Sequence, residues 1–148
     1  MKKFKGFTLI ELIVVIAIIG VLCAILVPTM MGWVTKSRVK TNNANAKQTF
    51  TAAQEAITDL DNKGEDWGIE GDTVEISNGD ETELGVRIDA LNTVSNDTCA
   101  WTVKVDTTAG ALGAKFSTNG KNYAGRYPDE INEEENKPFA DLATVEED

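Results

Sequence analysis

The chain has 148 residues, with 24 acidic and 14 basic side chains and a formal net charge of -10 at pH 7. This length indicates one domain with at most a short appendage. The chain has no histidine, the commonest general base and metal ligand, and no glycine-rich phosphate loop. Residues 48–148 carry 23 acids against 7 bases, which argues against direct nucleic-acid binding. We therefore expect a protein that is not an enzyme and that binds no cofactor.

The N-terminal part of the chain is dominated by an apolar run, "LIVVIAIIGVLCAILVP", from Leu12 to Pro28. A helix of about 20 apolar residues crosses a bilayer. A secretory signal peptide has a shorter core and a small-x-small cleavage site, which residues 28–31 lack. A lipoprotein signal cut before Cys23 is disfavoured because the preceding Leu22 is bulky. Basic residues flank the run on both sides, so charge alone does not set its orientation.

Glu11 lies near the start of this membrane-seeking segment. A carboxylate inside a span costs roughly 2.5–3.5 kcal/mol on insertion scales, so such acids usually have a partner. Cleavage between Gly6 and Phe7 would create an α-ammonium group four residues before Glu11. Neighbouring helices staggered by a few residues would then pair the two charges, and the acid would set the register between them. A plain single-span anchor explains the length of the run but not the acid.

The stretch "GFTLIELIVVIAIIGVLCAILVP" resembles the N-terminus of type IV pilins and of the related pseudopilins. The resemblance implies that a prepilin peptidase cuts after Gly6 and N-methylates the new terminal residue, Phe7. It also implies that Glu11 recruits an incoming subunit by pairing with the N-terminal amine of a neighbour. Gly20 and Pro28 fall where the helix of this family loosens on assembly.

By this resemblance, the chain is a structural subunit of a type IV pilus-like filament, with a major pilin favoured. One alternative is a pseudopilin of a type II secretion or competence DNA-uptake system, and another is a membrane-anchored binding protein that never polymerises. The implied partners are other copies of the chain, the prepilin peptidase, an inner-membrane platform protein, an assembly ATPase, and membrane lipid before assembly. The precursor would span the cytoplasmic membrane once, and the product would be a cell-surface filament of the kind used in adhesion, motility or secretion.

Helical periodicity resumes beyond Pro28, which should kink the helix rather than end it. Five apolar residues recur at spacings of 4, 3, 4 and 3 and share one helix face: Ala46, Phe50, Ala53, Ile57 and Leu60. The pattern predicts a nearly continuous helix from about Phe7 to Leu60. It should end at Gly64, which can adopt the left-handed cap conformation.

The segments after the helix predict an antiparallel sheet. Five strands are expected: Thr73–Ser77, a strand over the alternating Leu84, Val86 and Ile88, Cys99–Asp106, Ala111–Ser117, and a short strand within "KNYAGRYP". In the fourth strand, Leu112, Ala114 and Phe116 should share one face. Asn119-Gly120 is a strong hairpin signal. Packing the apolar strand faces against the helix gives the predicted fold class, α+β, with a long N-terminal helix on a small sheet.

The predicted organisation has five segments. Residues 1–6 are a leader that is removed, 7–34 the hydrophobic transmembrane and assembly helix, 35–62 the amphipathic half of the helix, 63–127 the globular head, and 128–148 a mobile C-terminal tail. The tail carries nine acids and one lysine, a composition typical of disordered segments, although Phe139 and Leu142 are expected to dock if any part of it does.

Residues 59–70, "DLDNKGEDWGIE", match part of the spacing of a calcium-binding loop. The candidate ligands are Asp59, Asp61 and Glu70. However, Lys63 occupies a position where an oxygen ligand is required, and its cation would repel calcium. We therefore favour a helix terminus followed by an acidic loop, with no metal.

Overall fold

The computed structural model of the chain describes residues 7–119, 123–132, 134–135 and 137–145. Its elements are α1 (Leu9–Lys63), β1 (Thr73–Ser77), α2 (Glu83–Leu91), β2 (Ala100–Asp106), β3 (Gly110–Ser117), β4 (Gly125–Tyr127) and a short 3-10 helix (Phe139–Asp141). A long helix and a four-stranded antiparallel sheet confirm the predicted α+β class. The chain divides into two compact units, Met1–Thr35 and Lys36–Asp148, and each is described by itself.

The first unit contributes the apolar part of α1. Within the described residues, α1 is the one helix whose length and apolar composition suit a membrane crossing, with a mean hydropathy of 3.2 over its most apolar window. The helix continues through both Gly20 and Pro28. From Phe7 to Val34 every side chain is exposed in the isolated chain. An apolar surface of this extent requires cover from lipid or protein.

In the second unit, α1 buries one face against the sheet. The five residues of the predicted apolar face all belong to this core: four are buried and Phe50 is half-buried. The helix ends as predicted, because Gly64 has a φ of 67°. The Glu65 N–H donates to the Leu60 carbonyl at 3.0 Å and the Gly64 N–H donates to the Asp61 carbonyl at 3.1 Å. These two bonds form a Schellman cap, which satisfies carbonyls that the helix leaves unpaired.

The expected strand over Leu84, Val86 and Ile88 is wrong, because these residues belong to α2. Thr82 is the N-cap residue of this helix, and its hydroxyl accepts a hydrogen bond from the Gly85 N–H at 3.1 Å. Leu84 and Ile88, four residues apart, face the core, whereas Val86 points to solvent. The alternation of all three residues fits a strand, but Leu84 and Ile88 alone fit a helix equally well over so short a run, and the capping threonine favours the helix.

The sheet is a simple meander in the order β1-β2-β3-β4, with every neighbouring pair antiparallel. Trp101, Val103 and Val105 of β2 are fully buried, as the alternation predicts. The expectation for Leu112 is wrong. The register shifts at Lys104/Val105, where Val105 pairs with Ala111 and Lys104 with Gly113. Leu112 is the extra residue of this β-bulge, so Ala111 faces inward in its place and Leu112 is exposed.

The strand predicted within "KNYAGRYP" is confirmed as β4. The Asn119-Gly120 turn is described only as far as Asn119, since Gly120 lies outside the described residues. A methyl group on Gly125 would lie 2.1 Å from the Asn42 carbonyl carbon and 2.2 Å from the Asn43 nitrogen. Strand β4 therefore lies directly against the backbone of α1, and only glycine fits at this crossing.

Two buried asparagines of α1 hold this crossing together. The Asn43 side chain accepts a hydrogen bond from the Arg126 N–H at 3.0 Å and donates one to the Ile131 carbonyl at 2.8 Å. The Asn42 amide donates to the Tyr123 carbonyl, and its oxygen accepts from the Thr118 hydroxyl at 2.7 Å. Asparagine at these positions satisfies backbone groups that a hydrophobic residue would leave unpaired.

The C-terminal segment packs against the sheet through contacts with β3 and β1. The buried Lys115 ammonium of β3 donates to the Leu142 carbonyl at 3.1 Å and lies 4.8 Å from the centroid of the Phe139 ring. The Thr144 hydroxyl donates to Glu75 of β1 at 2.5 Å. Leu142 is buried and Phe139 half-buried, which confirms the expected docking. The mobility of residues 128–148 stays a prediction, and residues 133, 136 and 146–148 lie outside the described part.

The turn between β2 and β3 is organised by one carboxylate and gives a pH-dependent prediction. Asp106 accepts hydrogen bonds from the Thr108 hydroxyl at 2.6 Å and from the Thr108 and Ala109 N–H groups at 2.8 Å. These bonds, the Thr108 hydroxyl first, lower the pKa of Asp106 to about 2. An unfolded aspartate has a pKa of about 3.9. The ionised carboxylate therefore stabilises the fold above about pH 4, and this contribution disappears as the pH falls to about 2.

We expect Asp106→Asn to lower the free energy of unfolding near neutral pH and to make little difference at about pH 2. Urea unfolding of the detergent-solubilised chain across this pH range measures the effect. Asp97→Asn is the matched control, since Asp97 is exposed and outside this turn. An Asp106→Asn deficit that is the same at pH 7 and pH 2 would contradict the assignment.

Candidate assembly site at the N-terminus of α1

Glu11 is part of a capping box at the start of α1. Its Oε2 atom accepts hydrogen bonds from the Thr8 N–H at 2.8 Å and from the Thr8 hydroxyl at 2.7 Å. In return, the Glu11 N–H donates to the Thr8 hydroxyl oxygen at 3.4 Å. The reciprocal bonds satisfy donors that a helix N-terminus leaves unpaired. Among the described residues, none donates to the other carboxylate oxygen, Oε1, so half of the carboxylate is open to a further partner.

The surroundings of Glu11 are apolar. A shallow cavity of about 330 Å³ is lined by Glu11 and four apolar neighbours: Phe7, Ile10, Val14 and Val15. A second cavity, of about 360 Å³, continues along the helix and is lined by Val14, Ala17, Ile18, Val21 and Leu22. Phe7, the first described residue of this surface, is 86% exposed. The site thus consists of one charged group on an otherwise apolar and exposed helix surface.

The other predicted site residues have simpler environments. Gly20 and Pro28 both lie inside the continuous α1, and a Cβ added at Gly20 would meet nothing within 4 Å. Their roles in helix loosening stay predictions. Gly6, the residue before the predicted cleavage point, lies outside the described residues, so the Gly6-Phe7 cleavage also stays a prediction.

The three candidate calcium ligands are not brought together. Asp59 forms ion pairs with Lys63 at 3.0 Å and with Arg87, and the hydrogen bond from Lys63, followed by the contact with Arg87, lowers the pKa of the Asp59 carboxyl. Asp61 accepts a hydrogen bond from the Trp67 indole N–H at 2.8 Å. Glu70 is exposed on the loop beyond the helix. The described residues contain no group of three or more potential metal ligands.

Thr8, which bonds the Glu11 carboxylate, was missed in the sequence reasoning above. Its signal was present, because "TLIE" at residues 8–11 spells the Thr-x-x-Glu pattern of a capping box immediately before an apolar run. The pattern gives Glu11 a partner within its own chain. Glu11 is therefore held in a defined position by bonds within its own chain.

Comparisons with known proteins give a match to the N-terminal motif and several relatives. Residues 1–27 match the family model described as the prokaryotic N-terminal methylation motif. The chain is 41% identical over 61 residues to a type IV major fimbrial protein FimA of Dichelobacter nodosus, covering 41% of this chain and 39% of that protein. It is 39% identical over 57 residues to the type IV major pilin protein PilA of Myxococcus xanthus, covering 38% of this chain and 26% of that protein.

A second FimA of Dichelobacter nodosus matches over a much longer stretch. It is 30% identical over 118 residues, which cover 76% of this chain and 72% of the relative. The match thus extends far beyond the apolar helix into the head. No solved structure gives a significant match. From the N-terminal motif, the long match and the α+β architecture, we conclude that the chain belongs to the type IV pilin family.

Proposed function

We propose that the chain is the structural subunit, and specifically a major pilin, of a type IV pilus-like surface filament. The observation that carries the proposal is the exposed apolar part of α1 with a single carboxylate, Glu11, beside the exposed Phe7. In one chain this surface has no protein cover. Packing such helices side by side removes the apolar surface from water and lipid alike, and it requires no catalytic group. The names of the related proteins, major fimbrial proteins and a major pilin, favour this function over a pseudopilin.

The charge pair would specify how the copies pack. Once the leader is removed, the new α-ammonium of Phe7 lies four residues before Glu11 in the sequence. Thr8 holds one oxygen of the Glu11 carboxylate, and the open oxygen can accept the amine of a neighbouring copy. A charge pair within an apolar surface is favourable only in good geometry. The charge pair therefore selects one axial stagger between neighbouring helices, whereas apolar packing alone would allow many.

The remaining partners follow from what the chain lacks and from its N-terminal motif. A prepilin peptidase would remove residues 1–6 and methylate Phe7, and the precursor would be held by membrane lipid until then. The sequence contains no glycine-rich nucleotide-binding loop. The work of extracting the helix from the membrane would therefore come from a separate ATPase, acting through an inner-membrane platform protein.

Mass spectrometry of the native N-terminus tests the processing step. We expect the protein from sheared cell surfaces to begin at Phe7 and to carry one methyl group on its α-amine. Gly6→Val should prevent cleavage because the peptidase would no longer meet a small residue at the cut, and the uncut chain should accumulate in the membrane. Gly32→Val is the control, since Gly32 lies in α1 and has open space around it. A surface-exposed polymer that retains residues 1–6 would overturn the proposal.

A further inference from the structure

The second unit contains a cationic cavity that the assembly site does not use. The cavity has a volume of about 410 Å³ and is lined by Ser37, Arg38, Thr41 and Asn42 of α1 and by Thr118, Asn119 and Tyr123 of the segments around the β3–β4 connection. The Arg38 guanidinium lies over the Tyr123 ring, 5.2 Å from its centroid. Among the described residues, Arg38 forms no ion pair with a carboxylate. The cavity therefore presents a cation whose charge is not balanced locally.

The wall of this cavity is held in place by hydrogen bonds. Asn42 is buried and connects α1 to both sides of the β3–β4 connection, through the Thr118 hydroxyl at 2.7 Å and through the Tyr123 carbonyl. The Thr41 hydroxyl donates to the Ser37 carbonyl at 2.9 Å. A guanidinium stacked on an aromatic ring keeps its donors directed outward in a fixed fork. This arrangement suits a carboxylate that enters from solvent.

The chain has an excess of carboxylates elsewhere. The loop after α1 carries Glu65, Asp66, Glu70 and Asp72, all exposed, and residues 64–72 contain no basic residue. Asp66 is engaged in its own turn through the Gly68 N–H at 2.8 Å. The backbone carbonyl of Asp72 accepts hydrogen bonds from Thr107. Within the part of the chain that the structure describes, no group bonds the Glu65 or Glu70 carboxylate, so these two are the candidate partners. We call residues 65–72 the acidic loop.

The geometry of a filament decides which surfaces can meet. Copies related along a helical filament make heterologous contacts, so a surface meets a different surface of its neighbour rather than itself. The cavity lies at Arg38, and the acidic loop begins after the end of α1 at Lys63. These two levels are about 38 Å apart along the helix axis, at about 1.5 Å per residue. A parallel neighbour that is displaced by this distance along the filament axis has its Arg38 cavity at the same level as the acidic loop of the first copy.

We propose that the Arg38 cavity binds a carboxylate of the acidic loop of a second copy in the filament. The inference rests on the proposed function, because it requires that the chain polymerises with parallel helices. The full chain carries a net charge of -10, and loss of residues 1–6 with their three lysines leaves -13, so close packing of copies is repulsive unless opposite charges are placed in contact. The contact supplies such a pair within the second unit.

Charge reversal tests the contact. Arg38→Glu should lower the yield of filaments at least about tenfold, as should reversal of whichever loop carboxylate binds, by Glu65→Arg or Glu70→Arg. Combining Arg38→Glu with the matching loop reversal should restore the yield, because the pair is then present with its charges exchanged. Thermal unfolding of Arg38→Glu should remain close to that of the unmodified chain, since Arg38 is exposed.

Lys40→Glu is the matched control. It changes the net charge by the same amount at nearly the same level of α1, but two residues along a helix correspond to about 200°, so Lys40 lies on another side. We expect near-normal filaments from Lys40→Glu. If Lys40→Glu and Arg38→Glu are equally defective, a generic attraction to anionic lipid headgroups explains both, and the cavity contact is wrong.

Two further results would also overturn the inference: normal filaments from Arg38→Glu, or no recovery with either loop reversal. Both leave the proposed function intact, since the unmodified chain still polymerises. If the unmodified chain and Lys40→Glu form no filament under any condition, the proposed function itself fails, and this inference falls with it.

Discussion

Replacing Glu11 with valine should abolish the filament while the chain still enters the membrane. The valine removes a carboxylate whose insertion costs roughly 2.5–3.5 kcal/mol, so insertion is not impaired. In the polymer, however, the amine of a neighbouring chain loses its counter-charge within apolar surroundings. Leaving one member of a buried pair unpartnered costs roughly 3–5 kcal/mol, which corresponds to a loss of at least about 100-fold at each contact. Electron microscopy of sheared material and fractionation of membranes measure the two quantities.

Two companion variants separate the roles of the carboxylate. Glu11→Gln keeps an acceptor for Thr8 but removes the charge, so it should be nearly as defective as valine. Thr8→Val removes the hydroxyl that donates to Oε2 and accepts from the Glu11 N–H. It keeps the charge and the bond from the backbone N–H of residue 8. Loss of an N-cap costs about 1 kcal/mol, so this variant should still form filaments at a reduced yield.

The opposite ranking would contradict the assembly site. If Thr8→Val abolishes filaments and Glu11→Gln does not, Glu11 serves only to begin the helix. If Glu11→Val forms filaments at normal yield, the alternative of helices held together by apolar contacts alone explains the polymer. If all variants insert in the membrane and the unmodified chain never polymerises, the chain is a plain membrane anchor.

The elements that the sequence predicted correctly are those in which one local signal dominates. The helix face at Ala46–Leu60 repeats over several turns, and Gly64 provides a terminator that few other residues can replace. Strand β2 is predicted correctly because Trp101, Val103 and Val105 alternate with more polar residues. The helix face spans several turns and the β2 alternation extends back to the buried Cys99, so both patterns are long enough to distinguish a repeat of 3.6 from a repeat of 2.

The elements that were missed depend on contacts between distant residues. Nothing in the sequence near Leu112 marks it as the extra residue of a bulge, because the register shift is defined only by the pairing with β2. The burial of Asn42 and Asn43 is likewise invisible in a hydropathy pattern, since both are polar. Asn43 is buried where it bonds the Arg126 N–H and the Ile131 carbonyl, both more than 80 residues away. Asn42 is buried where it bonds the Thr118 hydroxyl and the Tyr123 carbonyl, which are also distant in the sequence. The pairing of Asp59 with Arg87 has the same long-range origin.

Gly125→Ala should destabilise the head more than any other single methyl group added to a described glycine. The new Cβ would lie 2.1 Å from the Asn42 carbonyl carbon and 2.2 Å from the Asn43 nitrogen. These are backbone atoms of α1, so no side-chain rotation relieves the overlap, and the strand has to move away from the helix. Overpacking of a well-packed site usually costs 1–3 kcal/mol, and we expect about 3 kcal/mol or more here, because displacing β4 also breaks the Asn43 bonds.

Gly64→Ala distinguishes this steric effect from the ordinary cost of replacing glycine. Gly64 has a positive φ but open space around it, so alanine there should cost only roughly 1–2 kcal/mol of conformational strain. Gly125 has no positive φ among the described backbone angles, so its cost arises from contact alone. Urea unfolding of the full chain in detergent measures both variants. Equal losses for the two would mean that β4 does not lie against α1 as closely as described, and the asparagine contacts beside Gly125 would then have to be longer as well.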